Sequence, residues 1–503
     1  MDENRRKGGL PRYDLVIIGA GPGGYESAFE AARLGLHTAL VEKEALGGTC
    51  LNRGCIPTKT LIHTAELYDE IKKAARFGIH SEASTLDMKA VQQHKADTVA
   101  ALQKGIASRL KAAKIDVYHG TGKVISTEPS SHLIMVTAPD GMETILEAGR
   151  ILFATGSVPS VPPIPGADLP GIMTSDELLA YDGPPFDSLL IIGGGVIGVE
   201  FAGIWQSFGT KITILEALPS LIANLDRELG QSLRLSMKKK GADIHTGAKV
   251  QSLAAAENGI CCTYVEKEKE QTCTAQAVLI ATGRRPYTEG LFEEGCIPEM
   301  KRGRILVNDN YETGISGIYA VGDVIGQIQL AHAATAQGLR AVHHMAAQIN
   351  GRQIDGKRYL REDSSVSEQS SGEAASVRDY SSEKIDAGTL LIPSCIYTSP
   401  EIASVGLTLE EAKTKGIAAE SHKILSSANG KSVLTMQERG FIKVVYDKNT
   451  HAILGAQMLC ARATDMIGEF AVAIQNCLTM EKMAAVIRPH PSFEEMITDA
   501  VRL

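Results

Sequence analysis

A strand, a glycine-rich turn, a helix, a second strand and a closing acid occur twice in this chain with the same spacing. The first copy runs Tyr13-Asp14-Leu15-Val16-Ile17-Ile18 into Gly19-Ala20-Gly21-Pro22-Gly23-Gly24. A helix is predicted next, with Tyr25, Ala28, Phe29 and Ala32 at i, i+3, i+4, i+7 spacing. Gly35 ends it, and His37 to Val41 is the following strand, closing on Glu42. The second copy runs Ser188 to Ile192, then Gly193-Gly194-Gly195-Val196-Ile197-Gly198, then a helix through Phe201 and Trp205 to Phe208. Its second strand, Lys211 to Leu215, closes on Glu216. The acid follows the first glycine by 23 positions in both copies (19 to 42, 193 to 216).

Each residue type in the repeat has a physical task. The first glycine allows the tight turn, the second lets backbone amides approach a pyrophosphate, and the third lets helix pack on strand. The helix N-terminus favours the anion, and the acid accepts hydrogen bonds from an adenosine ribose. One such pattern is weak evidence, but two at identical spacing mark two dinucleotide sites: Gly19, Gly21, Gly24 and Glu42 in one, Gly193, Gly195, Gly198 and Glu216 in the other. The carboxylate of Glu216 repels a ribose 2′-phosphate, and Ala217 to Ser220 hold no arginine to receive one. The second site is therefore predicted to take NAD(H) in preference to NADP(H).

The rest of the chain agrees with a soluble α/β protein of about three domains, the expectation for 503 residues. A formal charge of −8 argues against nucleic acid or an anionic membrane as partner. Nine thinly spread cysteines do not form a secreted disulfide framework. Met1 to Arg12 carries no apolar signal core. The longest apolar run, Leu189 to Val199, has 11 residues against the roughly 20 of a membrane span. A cytoplasmic location is expected.

Arg150 to Gly156 and Val278 to Gly283 are strand ends that answer the two repeats, and Ile318 to Asp323 is a later strand closing on an acid. A helix is predicted from about Ala333 to Asn350. The expected boundaries are 1–156 and 157–284 for the two dinucleotide domains, and 285–355 for a segment completing the first. Residues 356–390 form an insertion and 391–503 a separate α+β domain. Within the insertion, Arg361 to Gly388 holds 8 serines and 7 acids, so a solvated, disordered loop is expected there. His343 and His344 are expected to be structural, and Lys238 to Lys240 before Gly241 suit a helix C-terminus. Cys261, Cys262, Cys273, Cys296, Cys395, Cys460 and Cys477 show no metal spacing and are expected to be buried or idle.

Two further segments carry chemistry. Cys50-Leu51-Asn52-Arg53-Gly54-Cys55 is a metal pair, a chance pair of thiols or a redox disulfide. No second Cys or His pair has the spacing of a zinc site. Five residues of regular helix advance about 7.5 Å, too far for an easy disulfide. A local distortion at Gly54 is therefore required, and a disulfide held in an imposed geometry is reducible. The redox reading is favoured. Arg488-Pro489-His490-Pro491-Ser492-Phe493-Glu494-Glu495 puts His490 just outside the last helix, with Pro491 expected in that helix's first turn and Glu495 placed to orient the imidazole. Histidine supplies the near-neutral base that thiol–disulfide chemistry needs.

With these residues in view, the sequence resembles the pyridine nucleotide–disulfide oxidoreductases, and within them the dihydrolipoamide dehydrogenases. GGTCLNRGCIPTK, GGGVIGVE, ATGRRP, AVGD, LAHAA, YTSPEIASVG and HPSFEE occur in the family's order. The resemblance runs from Tyr13 to Leu503, leaving out the serine-rich insertion. It implies two Rossmann-like domains, for FAD and NAD, and a C-terminal dimerisation domain. By resemblance, Gly19, Gly21, Gly24, Glu42, Gly122, Asp323 and Ala331 hold FAD. Gly193, Gly195, Gly198, Glu216, Val250 and Gly283 hold NAD. Lys59 lies near the flavin and pairs with Glu200. Cys50 is the sulfur that exchanges with substrate, and Cys55 passes electrons to the flavin. His490 and Glu495 serve the other subunit of a homodimer. The implied reaction is dihydrolipoamide + NAD⁺ to lipoamide + NADH + H⁺. The implied partner is a lipoyl-bearing protein of a 2-oxo acid dehydrogenase complex or glycine cleavage system. The rivals are another FAD-dependent disulfide reductase and a non-catalytic FAD-binding subunit. One departure stands: Arg488-Pro489 replaces the His-Ala usual before the catalytic histidine.

Overall fold

The computed structural model describes residues 9–80, 84–129, 131–349 and 390–503. The stretch Arg361 to Gly388 lies outside them. The chain opens with six strands: β1 (Arg12–Ile18), β2 (Thr38–Glu42), β3 (Asp116–His119), β4 (Thr121–Glu128), β5 (Ser131–Thr137) and β6 (Glu143–Phe153). Their order in the sheet is β3-β2-β1-β6-β5-β4. β1 is buried from Leu15 to Ile18, as a parallel strand covered on both faces must be. It pairs in parallel with β2 and β6.

Helix α1 (Pro22–Arg33) follows β1 as predicted, with Ala28 buried and Tyr25, Phe29 and Ala32 packed against the core. Gly23, Gly24, Ser27, Ala28 and Ala31 are buried, whereas Tyr25, Phe29 and Ala32 are only half-buried. The small-residue face lets a later helix approach closely. A Cβ added at Gly338 would lie 2.1 Å from Ser27 Oγ.

Between β2 and β3 come α2 (Gly48–Arg53), α3 (Cys55–Lys73) and α4 (Met88–Ala112). The short β7 (Ser157–Pro159) leads out of the first sheet. The second sheet is built from β8 (Ile172–Met173), β9 (Ser188–Ile192), β10 (Lys211–Glu216) and β11 (Asp243–Thr246), with β15 (Ala277–Ile280) returning to it. It is wholly parallel, in the order β11-β10-β9-β15-β8. Helices α5 (Ser175–Ala180), α6 (Val196–Ser207) and α7 (Arg227–Lys239) flank it. Lys238 and Lys239 end α7, and Gly241 follows at φ +100°, as its lysine run implied. An antiparallel excursion, β12 (Lys249–Ala256), β13 (Gly259–Glu266) and β14 (Lys269–Ala275), forms its own three-stranded sheet.

β16 (Arg284–Pro286) pairs antiparallel with β7, so the outgoing and returning chain run side by side. After the hairpin β17 (Met300–Lys301) and β18 (Arg304–Ile305), β19 (Ile318–Ala320) adds to β6 in parallel as the first sheet's seventh strand. Helix α8 (Ala331–Ile349) then packs on α1. Two of its three histidines, the expected structural pair, are ties: His343 Nε2 meets Glu30 at 2.5 Å and His344 Nδ1 meets the Tyr319 hydroxyl at 3.1 Å.

The C-terminal part is an antiparallel sheet of β20 (Ser394–Ile396), β21 (Glu401–Gly406), β22 (Ala419–Leu425), β23 (Phe441–Asp447) and β24 (Ile453–Cys460), ordered β20-β21-β24-β23-β22. Helices α9 (Leu409–Thr414), α10 (Gly430–Leu434), α11 (Ala463–Gln475), α12 (Met480–Ala484) and α13 (Glu495–Val501) accompany it. Pro491 does not stand in the first turn of α13. The helix begins four positions later, because Glu494 and Glu495 supply its N-terminal turn. Leu61 of α3, Phe201 of α6 and Ile396, Phe441 and Leu459 of this sheet share one buried cluster. All three parts of the chain therefore meet where the predicted site lies.

Candidate active site

The two glycine-rich turns are near copies in space. Gly19 and Gly193 have φ of +102° and +113°, the left-handed region that glycine occupies without a Cβ clash. A Cβ at Gly24 would lie 1.9 Å from the Gly19 carbonyl oxygen, and one at Gly198 would lie 2.0 Å from that of Gly193. These third glycines let each helix sit on its strand. The middle glycines face outward: a Cβ at Gly195 meets nothing within 4 Å, and one at Gly21 meets only Gly48 Cα, at 3.8 Å.

The two acids also act alike. Glu42 accepts hydrogen bonds from the Ala20 amide (2.7 Å) and the Glu44 amide (2.8 Å). Glu216 accepts them from the Gly194 amide (2.6 Å) and the Leu218 amide (2.7 Å). Each carboxylate thus pins its own glycine turn and keeps lone pairs for a ribose. Burial pushes the Glu42 carboxyl up, against the Ala20 amide and nearby Lys43, which lower it.

A single cavity of about 1330 Å³ joins the two turns, more than the roughly 300–1,000 Å³ of ordinary ligand pockets. Gly19, Gly21, Glu42, Lys59, Gly122, Asp323 and Ala331 line it, as do Gly193, Gly195, Glu216, Val250 and Gly283. Gly24 and Gly198 do not, because their place is the helix–strand contact. Open backbone at both turns, beside a continuous cavity, fits two dinucleotides.

Cys50 and Cys55 stand between the two halves of this cavity. Gly54 separates α2 from α3, the local break that the cysteine spacing required. Its Cβ position is only 2.9 Å from the Thr49 carbonyl oxygen, so the backbones are in close approach. The two sulfurs are free thiols in hydrogen-bond contact. Donation from Cys50 lowers the Cys55 thiol pKa, burial opposes, and the Lys59 cation lowers it further. Cys50, as donor and partly buried, is pushed up. Cys55 is therefore the member of the pair held as thiolate.

Lys59 Nζ contacts both oxygens of Glu200, at 3.0 and 2.8 Å. Glu200 Oε1 also accepts from the Tyr397 amide at 2.9 Å, and the Tyr397 ring lies 4.5 Å from the ammonium. This charge pair is built by α3, α6 and the strand end after β20. A second network holds Asp323. Its Oδ2 accepts from Ser157 at 2.5 Å, while Arg284 donates to the Ser157 hydroxyl and carbonyl oxygens at 2.9 and 2.8 Å. Burial pushes the Asp323 carboxyl up, opposed by Ser157 and Arg284.

His490 and Glu495 do not line their own chain's cavity. The imidazole is 78% exposed, and its Nδ1 contacts Glu495 Oε1 at 2.9 Å. Glu495 Oε2 accepts from the Ser492 amide at 3.0 Å. That amide bond, then the His490 contact, lowers the Glu495 carboxyl. A donated Nδ1–H leaves Nε2 as a proton acceptor facing outward. The unusual Arg488 is buried, with 4% of its side chain exposed. It binds Glu469, and donates to Thr498 Oγ1 at 2.8 Å and the Met483 carbonyl at 3.3 Å. It ties α11, α12 and α13 together beside the histidine.

Several site residues were not singled out from sequence. Arg284 lay in the quoted ATGRRP run and its partner Thr49 in GGTCLNRGCIPTK, but Ser157 lies in no quoted motif. Tyr397 was quoted only within YTSPEIASVG. The expectation of idle thiols is corrected at Cys395, which lines the cavity, because β20 carries it to the Lys59–Glu200 pair. Cys262 is buried, as expected, and Cys273 is half-buried opposite it on the neighbouring strand.

Comparison with known proteins agrees with this geometry. Residues 13–338 match the pyridine nucleotide-disulphide oxidoreductase family, and residues 392–501 match that family's dimerisation domain, which supports a homodimer. The chain is 37% identical to a dihydrolipoyl dehydrogenase of Bacillus subtilis, over 97% of each chain. It is 36% identical to one of Chlamydia pneumoniae, over 98% of this chain and 96% of that one. Among solved structures it is similar to LpdA of Mycobacterium tuberculosis, with a TM-score of 0.82, 25% identity and 98% and 99% of the two chains covered. It is also similar to the HOCl-induced flavoprotein disulfide reductase RclA of Escherichia coli in its Cu(II) complex, with a TM-score of 0.79, 28% identity and the same coverage. Two fingerprint turns, a thiol pair between them and a matching dimerisation domain lead to one conclusion: this chain belongs to the pyridine nucleotide-disulphide oxidoreductase family and uses FAD and NAD(H).

Proposed function

We propose that the protein is an NAD-dependent dihydrolipoyl dehydrogenase that oxidises the dihydrolipoyl group of a lipoyl-bearing protein. The carrier is a subunit of a 2-oxo acid dehydrogenase complex or of a glycine cleavage system, and the work is done in the cytoplasm. The observation that carries the reading is the Cys50–Cys55 pair, placed between two dinucleotide turns in one cavity, with Lys59 and Glu200 beside it.

The residues divide the work as follows. In the oxidised enzyme Cys50 and Cys55 form a disulfide. His490 of the partner subunit takes a proton from one substrate thiol, and Glu495 stabilises the resulting imidazolium. The substrate thiolate attacks the Cys50 sulfur, and the Cys50–Cys55 bond breaks to leave Cys55 as thiolate. The second substrate thiol attacks the first substrate sulfur, closing lipoamide and releasing Cys50. Lys59, fixed by Glu200, holds positive charge beside the Cys55 thiolate. Bound FAD supplies the two-electron oxidation of the dithiol and the hydride that reduces NAD⁺. Glu42 and Glu216 each fix their own dinucleotide turn, and Glu216 sets the preference for NAD⁺.

The test is a substrate panel with purified holoenzyme. NADH formation from dihydrolipoamide is the expected dominant activity. A larger kcat/KM for glutathione disulfide, another small disulfide or a metal ion would assign the site to a different disulfide or metal-ion reductase.

A further inference from the structure

Two thiols that take no part in the relay face each other on the antiparallel excursion of the second sheet. Cys262 of β13 and Cys273 of β14 are register partners. Opposed residues of an antiparallel pair have Cα atoms about 4.5–5.5 Å apart, within the usual range for a disulfide. Both side chains join the cluster formed with Leu253, Ile260 and Tyr264. Alternation along the strand sends Cys261 to the opposite face, where its register partner is Thr274.

The two thiols differ in access and in charge. Cys262 is 0% exposed, whereas Cys273 is half-buried. They face each other across the strand pair, while the Cys262 thiol donates to the Thr263 carbonyl at 3.9 Å; the Cys262 neighbour lowers the Cys273 thiol pKa, burial opposes, the nearby His245 lowers it further and Asp243 raises it. His245 is clamped between Glu266 at 2.8 Å and Asp243 at 3.1 Å. Burial disfavours the imidazolium, but the two carboxylates outweigh it and raise the histidine's pKa. A half-buried thiol of lowered pKa, backed by a buried second thiol on the facing strand, is the arrangement in which an oxidised sulfur is captured as a disulfide. Neither cysteine lines the catalytic cavity.

We propose that Cys262 and Cys273 are a second dithiol–disulfide couple of this protein, with a hydroperoxide as oxidant and Cys273 as the sulfur attacked first. The Cys273 thiolate attacks the O–O bond of hydrogen peroxide, giving a sulfenic acid and hydroxide. The Cys262 sulfur then attacks the sulfenic sulfur: the S–S bond forms, the S–O bond breaks, and the Cys262 proton leaves with that oxygen as water. Two thiols lose two electrons, and peroxide is reduced to water. The product ties β13 to β14 across the hairpin at Lys267-Glu268.

The experiment uses full-length holoenzyme carrying Cys50→Ser and Cys55→Ser, so its result does not depend on the activity proposed above. The protein is treated with hydrogen peroxide, free thiols are blocked with iodoacetamide, and tryptic peptides are read by mass spectrometry without reduction. Trypsin cuts between the two strands at Lys267 and Lys269, so the couple appears as a joined pair of peptides that dithiothreitol separates. Adding Cys261→Ser should leave the joined pair intact. Adding Cys262→Ser should leave a Cys273 sulfenic acid that dimedone traps, and adding Cys273→Ser should leave Cys262 open to alkylation after unfolding. Full alkylation of both thiols after peroxide treatment would overturn the proposal. So would a bridge to Cys261, or over-oxidation of Cys273 with Cys262 still free.

Discussion

The Cys55 thiol pKa is lowered first by the Cys50 thiol beside it; burial opposes, Lys59 lowers it further and Glu200 raises it. A depressed thiol pKa means that the thiolate persists below the ordinary range near 8.5 and is lost as pH falls through the depressed value. In the Cys50→Ser holoenzyme the thiolate should give a long-wavelength charge-transfer band with oxidised flavin, and Cys55→Ser should lack it. Titrating that band should show its midpoint moving up in pH when Lys59→Met is added, and down when Glu200→Gln is added. Shifts of the same sign would show that the charge pair does not set the thiolate. Glu216 carries a second residue-scale prediction. NAD⁺ should be preferred to NADP⁺ by at least about tenfold, or 1.4 kcal/mol. Glu216→Arg should erode the preference and also lower overall efficiency, because the Gly194 and Leu218 amides lose their acceptor. Steady-state kinetics with both nucleotides measures both effects.

At the scale of elements, the paired turns allow a matched experiment. Gly24→Ala and Gly198→Ala each place a methyl about 2 Å from a carbonyl oxygen, an overlap that costs about 1–3 kcal/mol in a packed interface. Gly24→Ala should reduce flavin content on purification. Gly198→Ala should keep its flavin but show a raised KM for NAD⁺. Flavin absorbance per chain and nucleotide kinetics separate the two, and a Gly198→Ala protein that loses flavin would break the assignment of turns to cofactors. These elements were legible because their signals are local: glycine where φ is positive, apolar runs where a strand is buried, an acid at a strand end. In α1 the predicted Tyr25, Phe29 and Ala32 do pack against the core, but the pattern did not show that its small residues, at the contact with α8, are the more deeply buried. The first turn of α13 was misplaced because Pro491 suits a helix start, yet Glu494 and Glu495 provide it.

For the whole molecule, the important fact is what the chain leaves apart. His490 points outward, 78% exposed, and does not line the cavity that holds Cys50. With a dimerisation domain at residues 392–501, two-fold symmetry would bring each His490 to its partner's Cys50. Neither Cys50→Ser nor His490→Gln should be active alone. Mixed under conditions that exchange subunits, they should recover up to about one quarter of wild-type activity, since about half the dimers are mixed and each has one intact site of two. Proven exchange without recovery would place base and thiols on one chain. Arg488 adds a structural expectation at this scale. Its buried guanidinium joins α11, α12 and α13, so Arg488→Ala should destabilise the protein by about 1–3 kcal/mol, through the donors lost to Thr498 and the Met483 carbonyl, while Glu469 at 35% exposure is rehydrated. Denaturant unfolding measures it.

The sequence by itself determined the two dinucleotide turns, their acids, the thiol pair and the break between those thiols, because each turn and the thiol pair lie within a few positions and each acid closes the next strand of the same repeat, 22 positions from the amide it binds. Tertiary structure decided what surrounds them, although the family resemblance had already paired Lys59 with Glu200. Lys59 meets Glu200 across 141 positions, and Glu200 meets the Tyr397 amide across 197. Arg284 reaches Ser157 across 127, and Cys395 arrives at the cavity on β20 of the C-terminal sheet. No periodicity encodes such meetings. They follow from three layers burying one shared apolar cluster, which fixes where their polar edges converge.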